Sequence, residues 1–175
     1  MGIAIAGMSP SYKQAPFDNP DWEVWGLPWH EGVWSRYDRL FEMHDLRLLD
    51  KRGGQYIDRL KSVDVPLYMQ EKYFDNVTQY PFDGVNTDYF NSSIAYMLAL
   101  AMTETDSIGI FGVDMKAEDE YFYQRPNLEY LIGLADGMGI DVYIPDESPL
   151  IKFSGEGIQF LSSYPSYVDR YGWLG

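Results

Sequence analysis

Two histidines are present in 175 residues, and one of them, His44, stands directly before Asp45 in "LFEMHD". A histidine beside a carboxylate can serve as a general acid or base, or the pair can hold ribose hydroxyls. The same residues have a plain structural reading: Asp45 caps the next segment and His44 is a hydrogen-bonded loop residue. Serines come in two groups. Ser9 and Ser11 flank Pro10 after Gly7 in "GMSPS", and Ser92 and Ser93 follow Asn91 just ahead of an apolar run. A glycine permits a tight turn, and loop amides with hydroxyls beside them can bind an anion. Taken alone, "GMSPS" reads as a Ser-Pro turn, because it has neither G-x-G-x-x-G spacing nor the Gly-Lys-Ser/Thr ending of a Walker loop. Asn91 or Ser92 is placed to cap a helix, and the free N–H groups of a helix start attract phosphate.

A second chemical stretch follows "SIGIFGV". Asp114 leaves that apolar run, and "KAEDEYFYQRP" comes after it. Tyr121 and Tyr123 offer flat faces for a planar ligand, and Gln124 lies next to them. Arg125 suits an anion clamp and suits equally a salt bridge to its acidic neighbours. The carboxylates Asp114, Glu118, Asp119 and Glu120 match no standard metal-loop spacing, so neither a metal nor a cofactor is expected.

These groups need elements to hold them. Gly2–Ala6 is a short apolar run ending at Gly7 and predicts a buried strand. Further strands are expected over Trp22–Leu27, Asp38–Met43, Pro66–Gln70, Ser107–Val113 and Asp141–Ile144. Helical spacing marks Gln55–Val63 and Phe90–Thr103. A third helix is expected over Pro126–Met138, with proline in its first turn and Gly137 and Gly139 at its end. Strands alternating with helices predict an α/β fold: one domain over residues 1–150, its mostly parallel sheet covered by helices on both faces. Residues 151–175 are expected to form a C-terminal arm or hairpin. In such sheets ligands bind at the carboxyl ends of strands, near a topological switch point, which is where the groups above fall.

The totals restrict the partners. Acids outnumber bases 27 to 13, giving a formal charge of −14. Duplex nucleic acid and anionic membranes are therefore not expected partners, since both are bound through Lys and Arg. Cysteine is absent, which excludes disulfides and thiolate chemistry. No signal peptide or membrane-length apolar stretch is read, so a cytoplasmic location is expected. Aromatic residues make up 17% of the chain, for which core packing, a homo-oligomeric interface and a stacking surface for a planar ligand are the uses.

The stretch "NSSIAYMLALAMTETDSIGIFGVDM" resembles the central helix–strand unit of Cst-type sialyltransferases. It is also similar to the domain family of archaeal 6-hydroxymethylpterin pyrophosphokinases. Both families pair a serine-opened helix with a strand ending in Gly-x-Asp, and both begin with a strand entering a Gly-x-x-Pro-Ser loop like Gly7–Ser11. Over residues 2–150 the chain resembles a family of small tailed-phage proteins sharing "D-LFEMHD", "SSIAYMLALA", "GVDM" and "YQRP-LEYLIGLA". The resemblance implies a Rossmann-like nucleotide-binding domain. It implies that Gly7, Ser9 and Ser11 face phosphates, that Ser92 and Ser93 lie at the helix mouth, and that Asp114 lies near the nucleoside. The function expected first is a transferase acting on a nucleotide or nucleotide-sugar, with His44 as the acid/base. A phage protein that sequesters a host nucleotide without chemistry, or one with a structural role, are the alternatives.

Overall fold

A computed structural model gives the fold and describes residues 1–30, 34–85, 89–115 and 120–151, leaving aside the side chains of His30, Glu120, Tyr121 and Phe122. Seven strands form one sheet: β1 (Gly2–Ala6), β2 (Trp22–Gly26), β3 (Arg39–Glu42), β4 (Leu67–Met69), β5 (Val77–Gln79), β6 (Ser107–Phe111) and β7 (Asp141–Tyr143). Their order is β5-β4-β3-β2-β1-β6-β7. Every pairing is parallel, so all the carboxyl ends share one edge.

Parallel strands buried on both faces read as continuous apolar runs, and β1 is buried at all five positions. Alternation splits it between two layers. Ile3 and Ile5 face α3 (Ser93–Glu104) and α4 (Glu120–Gly137), in a core with Trp25, Phe41, Leu98, Leu128 and Leu131. Ala4 and Ala6 face the other way, into a layer with Ala15, Val24, Trp34 and Phe111. Further along that second face, α1 (Leu46–Asp50) and α2 (Gly54–Ser62) bring Leu49, Tyr56 and Leu60 over Leu40, Leu67 and Met69.

The chain therefore lays down β1 to β5 outward in one direction, with its connections on one face. It then returns through α3 on the opposite face and places β6 on the other side of β1. The switch point of the sheet lies between β1 and β6.

Several expectations are refined. The helix expected to open at Pro126 begins at Glu120 and runs through Pro126. Proline lacks only its own N–H and suits an early turn, so an earlier turn can precede it. β5 and α1 were not foreseen, because each is too short to show a period. Residues 152–175, the expected arm or hairpin, lie outside the described residues.

Candidate functional site at the carboxyl edge

The first group forms where β1 and β6 end. Gly7 N–H donates to the Phe111 carbonyl at 2.8 Å, and Ser9 N–H donates to the Gly112 carbonyl at 2.9 Å. The Gly112 N–H in turn donates to Ser11 Oγ at 3.0 Å. A Cβ on Gly7 would lie 2.3 Å from the Gly112 oxygen, and Gly112 itself has φ +66°. Two glycines thus let the "GMSPS" loop and the "GVDM" loop lie backbone on backbone. "GMSPS" does turn, into a single-turn 3-10 helix over Pro10–Gln14. Ser11 is buried and its oxygen serves this junction, while its own hydroxyl hydrogen is not used by that bond.

Asp114 lies two residues past Gly112, and its Oδ1 is buried with no hydrogen-bond partner. Met115 follows at φ +46°, a left-handed conformation that β-substituted residues adopt at a cost. Among the described residues there is no group of three or more His, Asp or Glu arranged to hold a metal ion. Glu118 and Asp119 lie outside the described residues.

α3 leads into β6, so its N-terminus sits at the same edge. Ser92 is its N-cap, with Oγ accepting from Ala95 N–H at 3.2 Å. Asn91, the other capping choice, donates instead from Nδ2 to the Tyr123 carbonyl at 2.7 Å. That bond joins the start of α3 to the first turns of α4. Tyr123 is 70% exposed, whereas Gln124 is buried on the inward face of α4. Asn127, one turn further along that face, is fully buried, with neither amide atom hydrogen-bonded.

Arg125 is engaged within the protein. Its Nε donates to Glu129 Oε1 at 2.7 Å and its Nη2 to the Pro149 carbonyl at 2.7 Å. Of its two readings, the structure displays a salt bridge, here within α4, while the bond to Pro149 ties the segment after β7 to that helix.

His44 stands two strands from the switch point, past the end of β3. β3 is staggered forward, since Leu40 pairs with Gly26, and this carries Glu42 beyond the last paired residue of β2. Glu42 is 1% exposed. Its carboxylate accepts from His44 Nδ1 and from the Tyr56 hydroxyl, both very short contacts, and from His44 N–H at 3.2 Å. Burial works to raise the Glu42 pKa, but the hydrogen bonds from His44 and Tyr56 outweigh it and hold it below the ordinary value. The Tyr56 hydroxyl is pushed far up, first by burial and then by the Glu42 charge, so it stays a donor.

A carboxylate has no proton to give and a guanidinium has no acceptor. Glu42 faces Nδ1, and Arg52 Nη2 lies 3.5 Å from Nε2. The carboxylate therefore faces a ring N–H at Nδ1. Glu42 thus orients the His44 ring, whose side chain is part-exposed. Asp45 takes the structural role: it caps α1 by accepting from Arg47 N–H at 2.8 Å and pairs with the Arg47 guanidinium. The Arg47 side chain holds the Asp45 pKa down at about 2. The partner of His44 is therefore Glu42, not its sequence neighbour.

The carboxyl edge thus holds the β1–β6 switch point, the starts of α3 and α4 and a histidine oriented by a carboxylate, on a Rossmann-like α/β fold. This fold is similar to the solved structure of the sialyltransferase CstII from Campylobacter jejuni in complex with a substrate analogue, cytidine-5'-monophosphate. The TM-score is 0.52 at 15% identity, over 90% of this chain and 84% of that one. No protein-family model matches the sequence, and no curated protein matches it at a significant level. Among the described residues no helix is long and apolar enough to cross a membrane.

Proposed function

We propose that this protein is a transferase acting on a nucleotide or nucleotide-sugar, with its donor site at the β1–β6 switch point and His44 as the acid/base. The observation that carries the reading is the buried Glu42 carboxylate orienting His44, on the same sheet edge as the switch point. Strand spacing puts His44 about 10 Å from the switch point, a distance that suits an acceptor standing beyond a bound donor. Likeness to a fold that holds cytidine-5'-monophosphate supports the nucleotide class.

In this reading the hydroxyl hydrogens of Ser9, Ser11, Ser92 and Ser93 bind the phosphates in the loop that Gly7 shapes, helped by the positive end of α3. The Asp114 carboxylate accepts from the nucleoside hydroxyls, and Tyr121, Tyr123 and Gln124 border the ligand. Catalysis comes from holding donor and acceptor together and from stabilising the departing phosphate.

Native mass spectrometry of the protein purified from cells, with release of any bound small molecule, tests the donor class. Incubation with cytidine-5'-monophosphate provides a defined probe. A retained nucleotide is expected in the wild type and in His44→Ala. Once a donor is identified, His44→Ala should lose turnover while keeping the nucleotide. Undiminished turnover in His44→Ala overturns the assignment, and a ligand that is always recovered intact overturns the transferase in favour of capture without chemistry.

A further inference from the structure

The arginines of this acidic chain are largely engaged by carboxylates. Arg36 meets Asp38 at 2.9 Å, Arg39 meets Glu23 at 3.0 Å and Glu104 at 2.9 Å, Arg47 meets Asp45 at 2.8 Å, and Arg125 meets Glu129 at 2.7 Å. Arg52 differs. Its carboxylate is Glu42, at 3.7 Å, which already accepts from His44 and Tyr56. Its approach to His44 Nε2 is 3.5 Å. Both contacts lie at or beyond the end of the hydrogen-bond range.

What holds Arg52 is the face of its guanidinium. It lies 4.0 Å over the Trp29 ring and 5.8 Å from the Tyr56 ring. Those two rings are themselves stacked, 4.0 Å apart with planes at 14°. A cation held by aromatic faces keeps its in-plane N–H edge for a bidentate partner. The Arg52 side chain is 29% exposed and Trp29 is 43% exposed, so the place is open to a small molecule. A chain of net charge −14 repels anions at long range, and an anionic ligand needs such a local cation.

We propose that Arg52, stacked on Trp29, recognises the acceptor of the transfer reaction, a hydroxylated small molecule carrying its own carboxylate or phosphate. This rests on the reading of His44 as the base. The acceptor's anionic group takes the N–H edge of Arg52 in a bidentate pair, and its hydroxyl lies beside His44 Nε2. The acceptor O–H bond breaks and its proton passes to Nε2. The acceptor oxygen bonds to the transferred sugar carbon, and the carbon–oxygen bond to the donor phosphate breaks with its electron pair leaving on the nucleotide. Neutral acceptors have no partner for Arg52 and bind weakly.

The test follows the ring-proton NMR signal of His44, assigned with His30→Gln, in fixed buffer. Glucuronate, glucose 6-phosphate and glucose are titrated in turn. At least one of the two acids is expected to shift the signal saturably, glucose is not, and the acid that binds identifies the anionic group. Arg52→Gln should weaken that binding by about tenfold or more, the loss expected for a charge-assisted pair. Arg52→Lys, which keeps the charge but not the fork, should fall between, with circular dichroism confirming that each variant is folded. Equal response to glucose, no response to either acid, or wild-type binding in Arg52→Gln overturns the proposal. Cytidine-5'-monophosphate retention is measured in parallel. Retention without any acid binding sinks this inference alone, whereas acid binding by a protein that holds no nucleotide removes the acceptor role.

Discussion

Replacing Glu42 by glutamine removes the one charge that organises the β3 end while keeping its shape. The carboxylate accepts from His44 Nδ1, His44 N–H and the Tyr56 hydroxyl. A glutamine offers one acceptor oxygen, and its NH2 meets a donor on the other side. The variant loses at least one charge-assisted hydrogen bond at a site 1% exposed, a loss of about 1.5–3 kcal/mol. For a domain of this size that lowers the melting temperature by roughly 3–12 °C at about 2–4 °C per kcal/mol.

The pH dependence gives the sharper check. The Glu42 pKa lies below its ordinary value in the folded protein. Its stabilisation is therefore fully present above the unfolded value and is lost as pH falls through the lower folded value. Thermal melts of wild type and Glu42→Gln, followed by circular dichroism, should differ near neutrality and converge as the pH falls through the lowered folded value. Taking the difference between the two proteins removes other acids such as Asp45 from the comparison. Equal stability near neutrality, or a gap that persists unchanged in acid, would refute the reasoning.

Three further outcomes follow from single contacts. Ser92→Ala removes the α3 cap and should cost about 1 kcal/mol in urea unfolding; no loss would mean the cap contributes nothing. Gly112→Ala places a Cβ 2.7 Å from Tyr12 Cβ and 2.8 Å from the Gly7 backbone at φ +66°, and should cost more than about 3 kcal/mol by the same assay. Asn127→Leu replaces a fully buried amide that has no hydrogen-bond partner. It should stabilise by about 1–3 kcal/mol, and a lower melting temperature would contradict the reading of that amide as unsatisfied.

The parts of this fold that were legible are those with strong local signals. β1 and β6 are buried on both faces and appear as unbroken apolar runs. α3 combines a serine cap with a long apolar stretch. β5 has only Val77 buried among its three residues, too little to show alternation. Pro126 drew the expected start of α4 six residues too late. At the site, His44 was conspicuous as a rare residue, but its partner was not. Glu42 reads as a polar residue after the apolar pair Leu40 and Phe41, and only the passage of α2 over β3 brings Tyr56, fourteen residues on, against it. A lone acid within an apolar strand was the available signal. Arg52 and Trp29 come from separate loops, and their stacking is a product of tertiary packing alone.

The most direct measurement is a backbone-amide NMR titration with cytidine-5'-monophosphate. Saturable shifts confined to Gly7–Ser11, Ser92–Ser93 and Gly112–Asp114 are the predicted result, because a nucleotide at the switch point lies against those residues together. Shifts centred on the amino edge of the sheet would contradict the account. So would the absence of shifts with this nucleotide and with its uridine, adenosine and guanosine counterparts.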